Sequence, residues 1–282
     1  MKTPTAIGIL AAHRSPECMQ ALQVFEEECA AAGIAAFEIG PHSQNDASLP
    51  APDMLMCFGG DGSMLNAVRE AVDKNIVLGG VNLGHLGFLT ACGRDAVAEM
   101  VHALASGEYA VEERSILQAR RAGFSGTDLA EHAHLALNEV ALMRAETGKM
   151  IDVDVEVDGE LLNKYHSDGV LVATPTGSTA YSLAAGGPLV SPAAGVLCIT
   201  PICPHSLTIR TVVLPDSVQI TMRPRERRGR AGESTIFSLD GRATHSIANN
   251  EALLVSKAPV PLRLLSLPGT TFAAKLRAKL RW

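Results

Sequence analysis

One glycine-rich turn carries the clearest chemical signal in this sequence. The segment Phe58-Gly59-Gly60-Asp61-Gly62-Ser63 follows an apolar run and precedes a helical pattern. Glycines allow a backbone to approach a phosphate closely, and the N-terminus of the next helix presents free amides and the positive end of its dipole. An ordinary turn between a strand and a helix is the alternative interpretation, but three glycines around one carboxylate exceed what such a turn requires. We therefore predict a phosphate loop formed by Gly59, Gly60, Gly62 and Ser63.

Small hydroxyl side chains and a tyrosine form a second dense segment. Asp168-Gly169 is followed by Thr174-Pro175-Thr176-Gly177-Ser178-Thr179-Ala180-Tyr181-Ser182 and then by Gly186-Gly187-Pro188. Such residues can surround a polar ligand with donors and acceptors while the aromatic ring covers it. A polar turn could have the same composition, but so dense a run inside an uncharged stretch favours a binding wall.

Length and charge restrict the possible partners. The chain has 282 residues, of which 47% are hydrophobic, so it can bury a substantial core. At about 150 residues per domain, this length favours two domains. The 24 basic and 30 acidic side chains give a net charge of -6, which opposes general binding to nucleic acids or anionic membranes. A nucleotide polyanion would need a local positive or dipolar pocket.

Cysteine usage and hydropathy favour a soluble protein of the reducing cytoplasm. The six cysteines are scattered without a C-x-x-C pair, mostly in the apolar surroundings typical of buried thiols. Residues 169–209 contain no Asp, Glu, Lys or Arg, but Gly, Pro, Ser and Thr interrupt the stretch. No run approaches the ~20 apolar residues of a membrane helix. The first twelve residues predict a strand rather than a signal peptide.

The elements that must position these residues begin with an α/β pattern. Apolar strand-like runs alternate with longer helical patterns, which is typical of a parallel sheet flanked by helices. Ser15 is a suitable N-cap for the first helix, Pro16 fits its first position and Gly33 would end it. We predict strands at Ala6–Leu10, Ile34–Ile39, Met54–Phe58 and Ile76–Val81, and further helices at Ser63–Asp73 and Asp95–Ala105.

After about Glu112 the pattern changes to short alternating β segments. Ile151–Val157 is followed by Asp158-Gly159, a strong two-residue hairpin turn. Later strands are expected at Val170–Ala173, Leu207–Val213, Val218–Met222, Thr235–Leu239, Leu253–Val255 and Pro261–Leu265, and a helix at Thr270–Leu280. We predict an α/β, Rossmann-like domain over residues 1–112, a β-rich domain over 113–266, and a C-terminal helix within 267–282 that returns to pack on the first domain.

Five motifs in a fixed order resemble those of bacterial NAD kinases over nearly the whole chain. They are Gly59-Gly60-Asp61-Gly62-Ser63, Asn82-Leu83-Gly84-His85-Leu86-Gly87-Phe88, Asn138-Glu139-Val140, Ser167-Asp168-Gly169 with Thr174 to Ser182, and Pro201 to His205. The GGDG loop alone is only moderately specific, because diacylglycerol, sphingosine and phosphofructokinase-type kinases have similar loops. The ordered set of five is highly specific.

The resemblance implies an enzyme that phosphorylates the adenosine-ribose 2'-hydroxyl of NAD with ATP, giving NADP. Asp61 matches the family's catalytic aspartate, which accepts the hydroxyl proton, and Gly62 would lie against the ligand. Asn138 and Glu139 match the pair that holds the dinucleotide, and Phe88 would line its adenosine side. The implied second-domain wall of the NAD site consists of Asp168, Ser178, Thr179, Ala180, Tyr181 and Ser182. Lys149, His166 and Arg242 lie where the family often places polar contacts.

Two residues depart from the family pattern. The commonest loop of this family ends in threonine, whereas Ser63 stands here and keeps the hydroxyl. His166 precedes Ser167-Asp168 where some relatives have arginine. Because that position neighbours the dinucleotide, the preference between NAD and NADH stays open.

The implied mechanism depends on positioning more than on base strength. An aspartate is a weak base for a sugar hydroxyl, but the transition state of phosphoryl transfer is usually loose and the proton leaves late. We expect Asp61 to orient and deprotonate the hydroxyl while a divalent metal, Mg²⁺ carried with ATP, neutralises the triphosphate. No metal ligands are assigned among the protein side chains, and His132 and His134 are expected to be solvated.

The same residues exclude several other enzyme classes and leave two alternatives. No Walker A motif, H-E-x-x-H motif or G-x-S-x-G elbow is present. A lipid kinase of the diacylglycerol or sphingosine type would share the GGDG loop, but the polar Thr174–Ser182 segment suits a dinucleotide better. A non-catalytic dinucleotide-binding regulator is the second alternative, against which the presence of Asp61 argues.

Three further expectations concern partners. The arginine-rich segment Arg223–Arg230 is expected to be a solvated hairpin loop rather than a nucleic-acid site. The family resemblance implies a homodimer or homotetramer in which second domains pack together. It also leaves ATP and inorganic polyphosphate open as phosphoryl donors.

Overall fold

The chain forms two compact units in the computed structural model. The structure describes residues 1–11, 14–39, 50–84, 87–123, 133–146, 149–225, 235–248 and 251–280. The first unit comprises Met1–Glu113 together with Leu262–Trp282, and the second comprises Arg114–Pro261. In the part of the chain so described, no helix is long and apolar enough to cross a membrane.

The first unit is an α/β domain, as the sequence predicts. Its strands β1 to β5 and helices α1 to α3 alternate in the order β1 Ala6–Ala11, α1 Pro16–Ala31, β2 Ala35–Glu38, β3 Met54–Phe58, α2 Asp61–Lys74, β4 Val77–Asn82, β5 Cys92–Gly93 and α3 Val97–Ser106. A short 3₁₀ turn, Arg94–Ala96, leads into α3, and β6 Ala110–Arg114 follows it. The strands β1, β2, β3, β4 and β5 pair in parallel. Helices α1 and α3 share one apolar core with β1, β3 and β4.

Local signals explain where α1 begins and ends. Ser15 has an extended backbone, and its hydroxyl accepts the amide of Cys18, as expected of an N-cap. Pro16 takes the first helical position. Gly33 adopts a φ of +72°, a conformation that glycine reaches without steric cost, just after the helix ends. The predicted signals are therefore confirmed.

The second unit is a sandwich of two antiparallel six-stranded sheets. One sheet has the order β11-β10-β15-β18-β7-β8 and the other β14-β13-β12-β9-β16-β17. In chain order the strands are β7 Leu117–Gly123, β8 His134–Ala136, β9 Glu139–Arg144, β10 Ile151–Val157, β11 Glu160–Ser167, β12 Gly169–Ala173, β13 Val196–Ile202, β14 Val212–Pro215, β15 Ile220–Arg225, β16 Thr235–Leu239, β17 Ala243–Ile247 and β18 Glu251–Lys257. Apolar side chains from both sheets, among them Tyr165 and Phe237, form the core.

Two short elements in the second unit matter for the site. Asp158 and Gly159 both have positive φ, and they join β10 to β11 as the predicted hairpin turn. A 3₁₀ turn, Thr176–Thr179, and the helix α4, Tyr181–Ala184, follow β12.

One predicted strand is only partly formed. The segment Leu207–Val213 was expected to be a strand throughout, but β14 begins only at Val212. Leu207 is 90% exposed, and its carbonyl accepts from the guanidinium of Arg210 in a local turn. This part of the prediction was wrong because it relied on the apolar residues alone, whereas the first residues of the run lie in an exposed connection before β14.

The chain returns to the first unit earlier than predicted. The strand expected at Pro261–Leu265 was placed in the β-rich domain, but β19, Leu262–Ser266, pairs in parallel with β4. Leu262, Leu264 and Leu265 are all buried, as a strand inside a parallel sheet requires. The final helix, α5, spans Phe272–Leu280 and belongs to the same unit.

A few predicted features lie outside the described residues. These are His85 and Leu86 of the second motif, His132, residues 226–230 of the arginine-rich segment, and residues 281–282 at the end of the predicted 267–282 segment. The described part of that segment, Arg223 to Arg225, ends β15, and its two arginines pair with Glu156 and Asp154 on β10.

Candidate active site

The edge of the first sheet brings two predicted motifs together. Strands β3 and β4 are parallel neighbours, with Phe58 opposite Val81. Because the carboxyl ends of parallel strands share an edge, the glycine-rich turn after β3 and the loop after β4 leave the sheet side by side. The Gly59 amide also donates to the Val81 carbonyl at 2.9 Å. Sheet topology therefore explains why residues far apart in the sequence meet here.

Asp61 lies at the first position of α2, and two backbone amides hold its carboxylate. The Phe88 amide donates to Oδ2 at 2.9 Å and the Leu89 amide to Oδ1 at 3.0 Å. The loop approaches so closely that a Cβ on Gly87 would lie 2.0 Å from Oδ1. Each oxygen thus accepts one bond, and the carboxylate has a fixed orientation with further acceptor capacity.

The phosphate-loop residues form a tight turn before α2. Gly60 is the N-cap of α2, and its carbonyl accepts the amides of Ser63 and Met64 at 2.9 and 3.1 Å. A Cβ on Gly59 would lie 2.3 Å from the Ser63 hydroxyl, so only glycine fits there. Gly60 and Gly62 are exposed. The exposed amide end of α2 is therefore a candidate anion site beside Asp61.

In the second unit, Glu139 is a buried carboxylate at the start of β9. It is 4% exposed, and its Oε2 atom has no hydrogen-bond partner in the described residues. Burial raises its pKa from 4.5 to about 7, and the nearby Asp240 carboxylate adds to this, while the Tyr181 amide acts in the opposite direction. A buried polar atom without a partner is costly, and such atoms often belong to functional sites.

Asp240 is the residue next to this motif that the sequence interpretation missed. Its carboxylate accepts three consecutive backbone amides, from Leu137 at 3.0 Å, Asn138 at 2.7 Å and Glu139 at 3.2 Å. The residue has a φ of +52° in the turn after β16, and desolvation raises its pKa. The only local signal was the dipeptide Asp240-Gly241, which reads as an ordinary turn. Its contacts with 137–139 depend on the pairing of β16 with β9.

The hydroxyl-rich segment behaves differently from the predicted ring of ligand donors. Ser178 is fully buried, donates to the Pro175 carbonyl at 2.7 Å and accepts the Val190 amide at 3.0 Å. Ser182 is also fully buried and bonds to the Thr200 hydroxyl at 3.2 Å. These two hydroxyls are therefore engaged in hydrogen bonds inside the unit. Thr179, Ala180 and Tyr181 are more exposed.

The same segment packs directly on the Asn138-Glu139 motif. A Cβ on Gly177 would lie 2.0 Å from the Asn138 carbonyl oxygen, and the Thr174 amide donates to that oxygen at 2.9 Å. The Thr174 hydroxyl donates to the Leu137 carbonyl at 2.6 Å. The structure thus brings Asn138, Glu139 and the start of the hydroxyl-rich segment together.

Asp168 forms a two-pronged ion pair with Arg144, a residue that the sequence interpretation did not single out. The Arg144 Nε and Nη2 atoms lie 3.0 Å from the two carboxylate oxygens. Both side chains are about one-quarter exposed and border a cavity of about 220 Å³ that Met143, Glu146, Tyr181 and Ile202 also line. Asp168 and Tyr181 therefore border the same cavity.

The three residues that the resemblance gives as further polar contacts, Lys149, His166 and Arg242, are spread over the second unit. Lys149 pairs with Glu146 at 3.0 Å, and Glu146 borders the Asp168 cavity. The His166 ring bonds to Asp152 at 2.7 Å and lies 5.7 Å from the His205 ring. Arg242 is exposed and follows Asp240 in the turn. None of these contacts identifies a ligand.

The described residues contain no group of three His, Cys, Asp or Glu side chains that could hold a metal ion.

His134 is half-buried against Phe237 and His245, whose rings lie 5.8 and 4.5 Å away, so the expectation of a solvated histidine is wrong.

Comparisons with known proteins place both halves of the chain in one family. Residues 48–109 match the family model for the ATP-NAD kinase N-terminal domain, and residues 137–267 match that for the ATP-NAD kinase C-terminal domain. The chain is 40% identical to the NAD kinase of Cytophaga hutchinsonii over 238 residues, which are 84% of this chain and 78% of that protein. It is 37% identical to the NAD kinase of Gemmatimonas aurantiaca over 230 residues, which are 82% and 78%.

Solved structures share the fold at lower sequence identity. The crystal structure of yeast NADH kinase complexed with NADH matches with a TM-score of 0.85 and 22% identity, covering 100% of this chain and 89% of that one. The structure of an NAD kinase from Archaeoglobus fulgidus in complex with ATP matches with a TM-score of 0.74 and 22% identity, covering 97% and 99%.

Proposed function

The chain belongs to the NAD kinase family, whose members phosphorylate NAD to NADP, and from this premise we propose how its residues divide the reaction. Asp61 orients the ribose 2'-hydroxyl and accepts its proton. The amide end of α2 receives phosphate, and the second unit holds the dinucleotide. Neither the lipid-kinase nor the regulator alternative gains support from the comparisons.

The fixed carboxylate of Asp61 carries this proposal. Both of its oxygens accept backbone amides, from Phe88 and Leu89, so its direction is set before any substrate binds. In a loose phosphoryl-transfer transition state, charge neutralisation and orientation contribute more than base strength. A weak base with a fixed direction suits such a reaction, because the proton leaves late.

The acceptor side is proposed to centre on Asn138, Glu139 and the Asp168 cavity. The Glu139 oxygen without a partner can accept from a ribose hydroxyl, which would relieve the cost of its burial. Asp168 and Tyr181 border one cavity, and Thr179 and Ala180 lie on the exposed side of the same segment. Ser178 and Ser182 are proposed to support this wall from inside, and Phe88 to line the adenosine side. Lys149, His166 and Arg242 are retained as outer polar contacts.

A magnesium ion fits this donor set if it arrives on the triphosphate. Mg²⁺ prefers oxygen ligands and usually keeps substrate phosphates and waters with only one or two carboxylates. Asp61 keeps its assignment to the hydroxyl proton, so the triphosphate and waters would hold the ion. Among the described residues, no cluster of three His, Cys, Asp or Glu side chains offers an alternative site. The ion would neutralise charge that develops on the transferred phosphoryl group.

Several finer assignments belong to this proposal. The donor is ATP, with inorganic polyphosphate as the alternative. The preference between NAD and NADH as acceptor is left open, because His166 stands where some relatives have arginine.

The second units are proposed to pack into a homodimer or homotetramer, because exposed Leu161, Leu162, Leu207 and Val213 lie on that unit. A monomer in sedimentation analysis would contradict this. The protein is proposed to work in the cytoplasm, with which its six free cysteines agree.

The decisive experiment measures NADP formation by the purified chain. ATP and polyphosphate are offered as donors, NAD, NADH and a diacylglycerol as acceptors, each with and without Mg²⁺. We expect NADP from NAD, or NADPH from NADH, only when a donor and the metal are both present. Labelled lipid without NADP would overturn the proposed acceptor.

The role of Asp61 is tested in the same assay with Asp61→Asn. Loss of a general acid–base group typically costs ~10²- to 10⁴-fold, and we expect kcat to fall by that amount. The Km for ATP should change much less, because the loop amides remain. Near-normal turnover of this variant would remove Asp61 from its assigned role.

A further inference from the structure

The loop that holds Asp61 is irregular and needs an anchor of its own. Residues 83–91 connect β4 to β5 without regular structure in the part described. Within this loop the Gly87 amide bonds to the Thr90 hydroxyl at 3.2 Å, and the Gly84 amide bonds to the Asn82 side chain at 2.8 Å. These contacts tie the loop to itself and to the end of β4.

The final helix supplies a charged anchor to the same loop. The Lys275 ammonium of α5 donates to the Phe88 carbonyl at 2.9 Å and to the Thr90 carbonyl at 3.1 Å. The Phe272 ring on the same helix lies 6.5 Å from the Phe88 ring. These contacts span more than 180 positions of sequence, since their separations are 187 and 185 residues. The start of α5 is fixed locally, because the Thr271 hydroxyl accepts the Ala274 amide at 3.1 Å.

Lys275 contacts the same peptide group that holds Asp61. The carbonyl of Phe88 and the amide of Leu89 belong to one peptide unit, and in a trans peptide they point in opposite directions. Lys275 bonds to the carbonyl end at 2.9 Å, and Asp61 Oδ1 bonds to the amide end at 3.0 Å. A cation on the carbonyl polarises the peptide and strengthens its N–H donor. The carboxylate is thus joined to the ammonium through one peptide group.

The second contact of Lys275 fixes the loop against the sheet. The carbonyl of Thr90 and the amide of Ala91 also share a peptide, and the Ala91 amide donates to the Gly80 carbonyl of β4 at 2.8 Å. One ammonium therefore links a peptide bound to Asp61 and a peptide bound to β4. Its side chain is half-buried, which reduces competition from water.

We propose that Lys275 is a positioning residue for the phosphoryl transfer: it locks the 88–91 loop so that the Phe88 and Leu89 amides hold the Asp61 carboxylate in its working orientation. This inference rests on the proposed role of Asp61. It gives the C-terminal helix a part in turnover, although Lys275 lies on the far side of the peptide from the carboxylate.

The test compares Lys275→Met with Lys275→Arg and a matched control, Lys279→Ala, which removes an exposed lysine from the last turn of the same helix. Misplacement of a reacting group by a fraction of an ångström is costly, so we expect Lys275→Met to lower kcat by about 10-fold with Km values within about twofold. Lys275→Arg should recover part of the loss, because a guanidinium can also donate to two carbonyls. Lys279→Ala should keep the parent kcat. Thermal unfolding of each variant identifies any loss of folded protein.

A double-mutant cycle with Asp61→Asn separates positioning from general damage. If Lys275 acts through Asp61, Lys275→Met should cause less than a twofold further loss in the Asp61→Asn protein, measured as slow NADP accumulation over hours. An undiminished 10-fold loss in that background, or a parent kcat in folded Lys275→Met, would overturn the inference. A fully active Asp61→Asn enzyme would instead overturn the proposed function.

Discussion

The two units hold their central carboxylates in opposite ways. Asp61 in the first unit has a backbone amide on each oxygen and stands at the open end of a helix. Glu139 in the second unit is almost fully buried, has one oxygen without a partner, and has a pKa raised to about 7 by desolvation and by Asp240. Backbone amides fix the direction of the first carboxylate, whereas burial and the Asp240 carboxylate destabilise the charged form of the second.

This difference assigns different tasks to the two carboxylates. A carboxylate fixed by backbone amides keeps its direction in every state, which suits a group that must meet a reacting hydroxyl. A carboxylate with an unsatisfied oxygen gains a partner only when a ligand supplies a donor, which suits a binding group. The unsatisfied oxygen of Glu139 therefore lowers the stability of the ligand-free unit. A ligand that donates a hydrogen bond to this oxygen would offset that cost.

Gly87→Ala is the most direct test of whether the fixed position of the Asp61 carboxylate matters for turnover. A Cβ on this residue would lie 2.0 Å from Asp61 Oδ1, so Gly87→Ala must displace the carboxylate or the loop. We expect kcat to fall about 10²-fold, because a displacement of about 1 Å at a reacting group can cost that much. The measurement is steady-state NADP formation. Gly93→Ala is the control, because a Cβ there meets no atom within 4 Å. Equal kcat values for the two variants would show that the close approach has no role in turnover.

The buried carboxylate is examined by pH and by Glu139→Gln. The unfolded chain ionises Glu139 near pH 4.5 and the folded chain near pH 7, so the folded state keeps the proton to a higher pH. Glu139 therefore lowers the free energy of unfolding progressively as pH rises from about 4.5 to 7, and the full cost is present above pH 7. Removing the charge should raise the free energy of unfolding by about 1–3 kcal/mol at pH 8 and by little at pH 5.

Urea unfolding at the two pH values gives this difference directly. Glu160→Gln is the matched control, because Glu160 is exposed at the start of β11, and it should change stability at neither pH. The Glu139→Gln enzyme should also bind NAD more weakly, since an amide replaces the charged acceptor. A variant that is equally stabilised at pH 5 and pH 8 would contradict the buried-charge explanation.

The smallest expected effect is at the N-cap of α1, which touches neither carboxylate. Ser15→Ala removes the acceptor of the Cys18 amide, so the free energy of unfolding should fall by about 1 kcal/mol. Because α1 has no contact with the Asp61 loop in the hydrogen bonds described, kcat should be unchanged. A parallel loss of kcat would mean that turnover follows overall stability, and the effect of Gly87→Ala would then lose its local interpretation.

Local signals predicted most of the first unit. Ser15, Pro16 and Gly33 determine the limits of α1 through interactions within a few residues, so the sequence contains everything needed. The Asp158-Gly159 turn is predictable for the same reason. The partial failure at Leu207–Val213 and the misplacement of β19 have the opposite cause. An apolar run does not say which sheet will receive it, and β19 joins β4 across almost the whole chain.

The sequence by itself determined the chemistry: the glycine-rich turn with Asp61, the Asn138-Glu139 pair, the Asp168–Ser182 segment and, through their order, the family. Tertiary structure decided which groups act on them. Lys275 reaches the Asp61 loop, Asp240 holds the 137–139 turn, Arg144 pairs with Asp168, and the hydroxyls of Ser178 and Ser182 turn inward. The physical reason is that motifs describe residues near one another in sequence, whereas hydrogen bonds, burial and pKa depend on neighbours that only the folded sheets bring within reach.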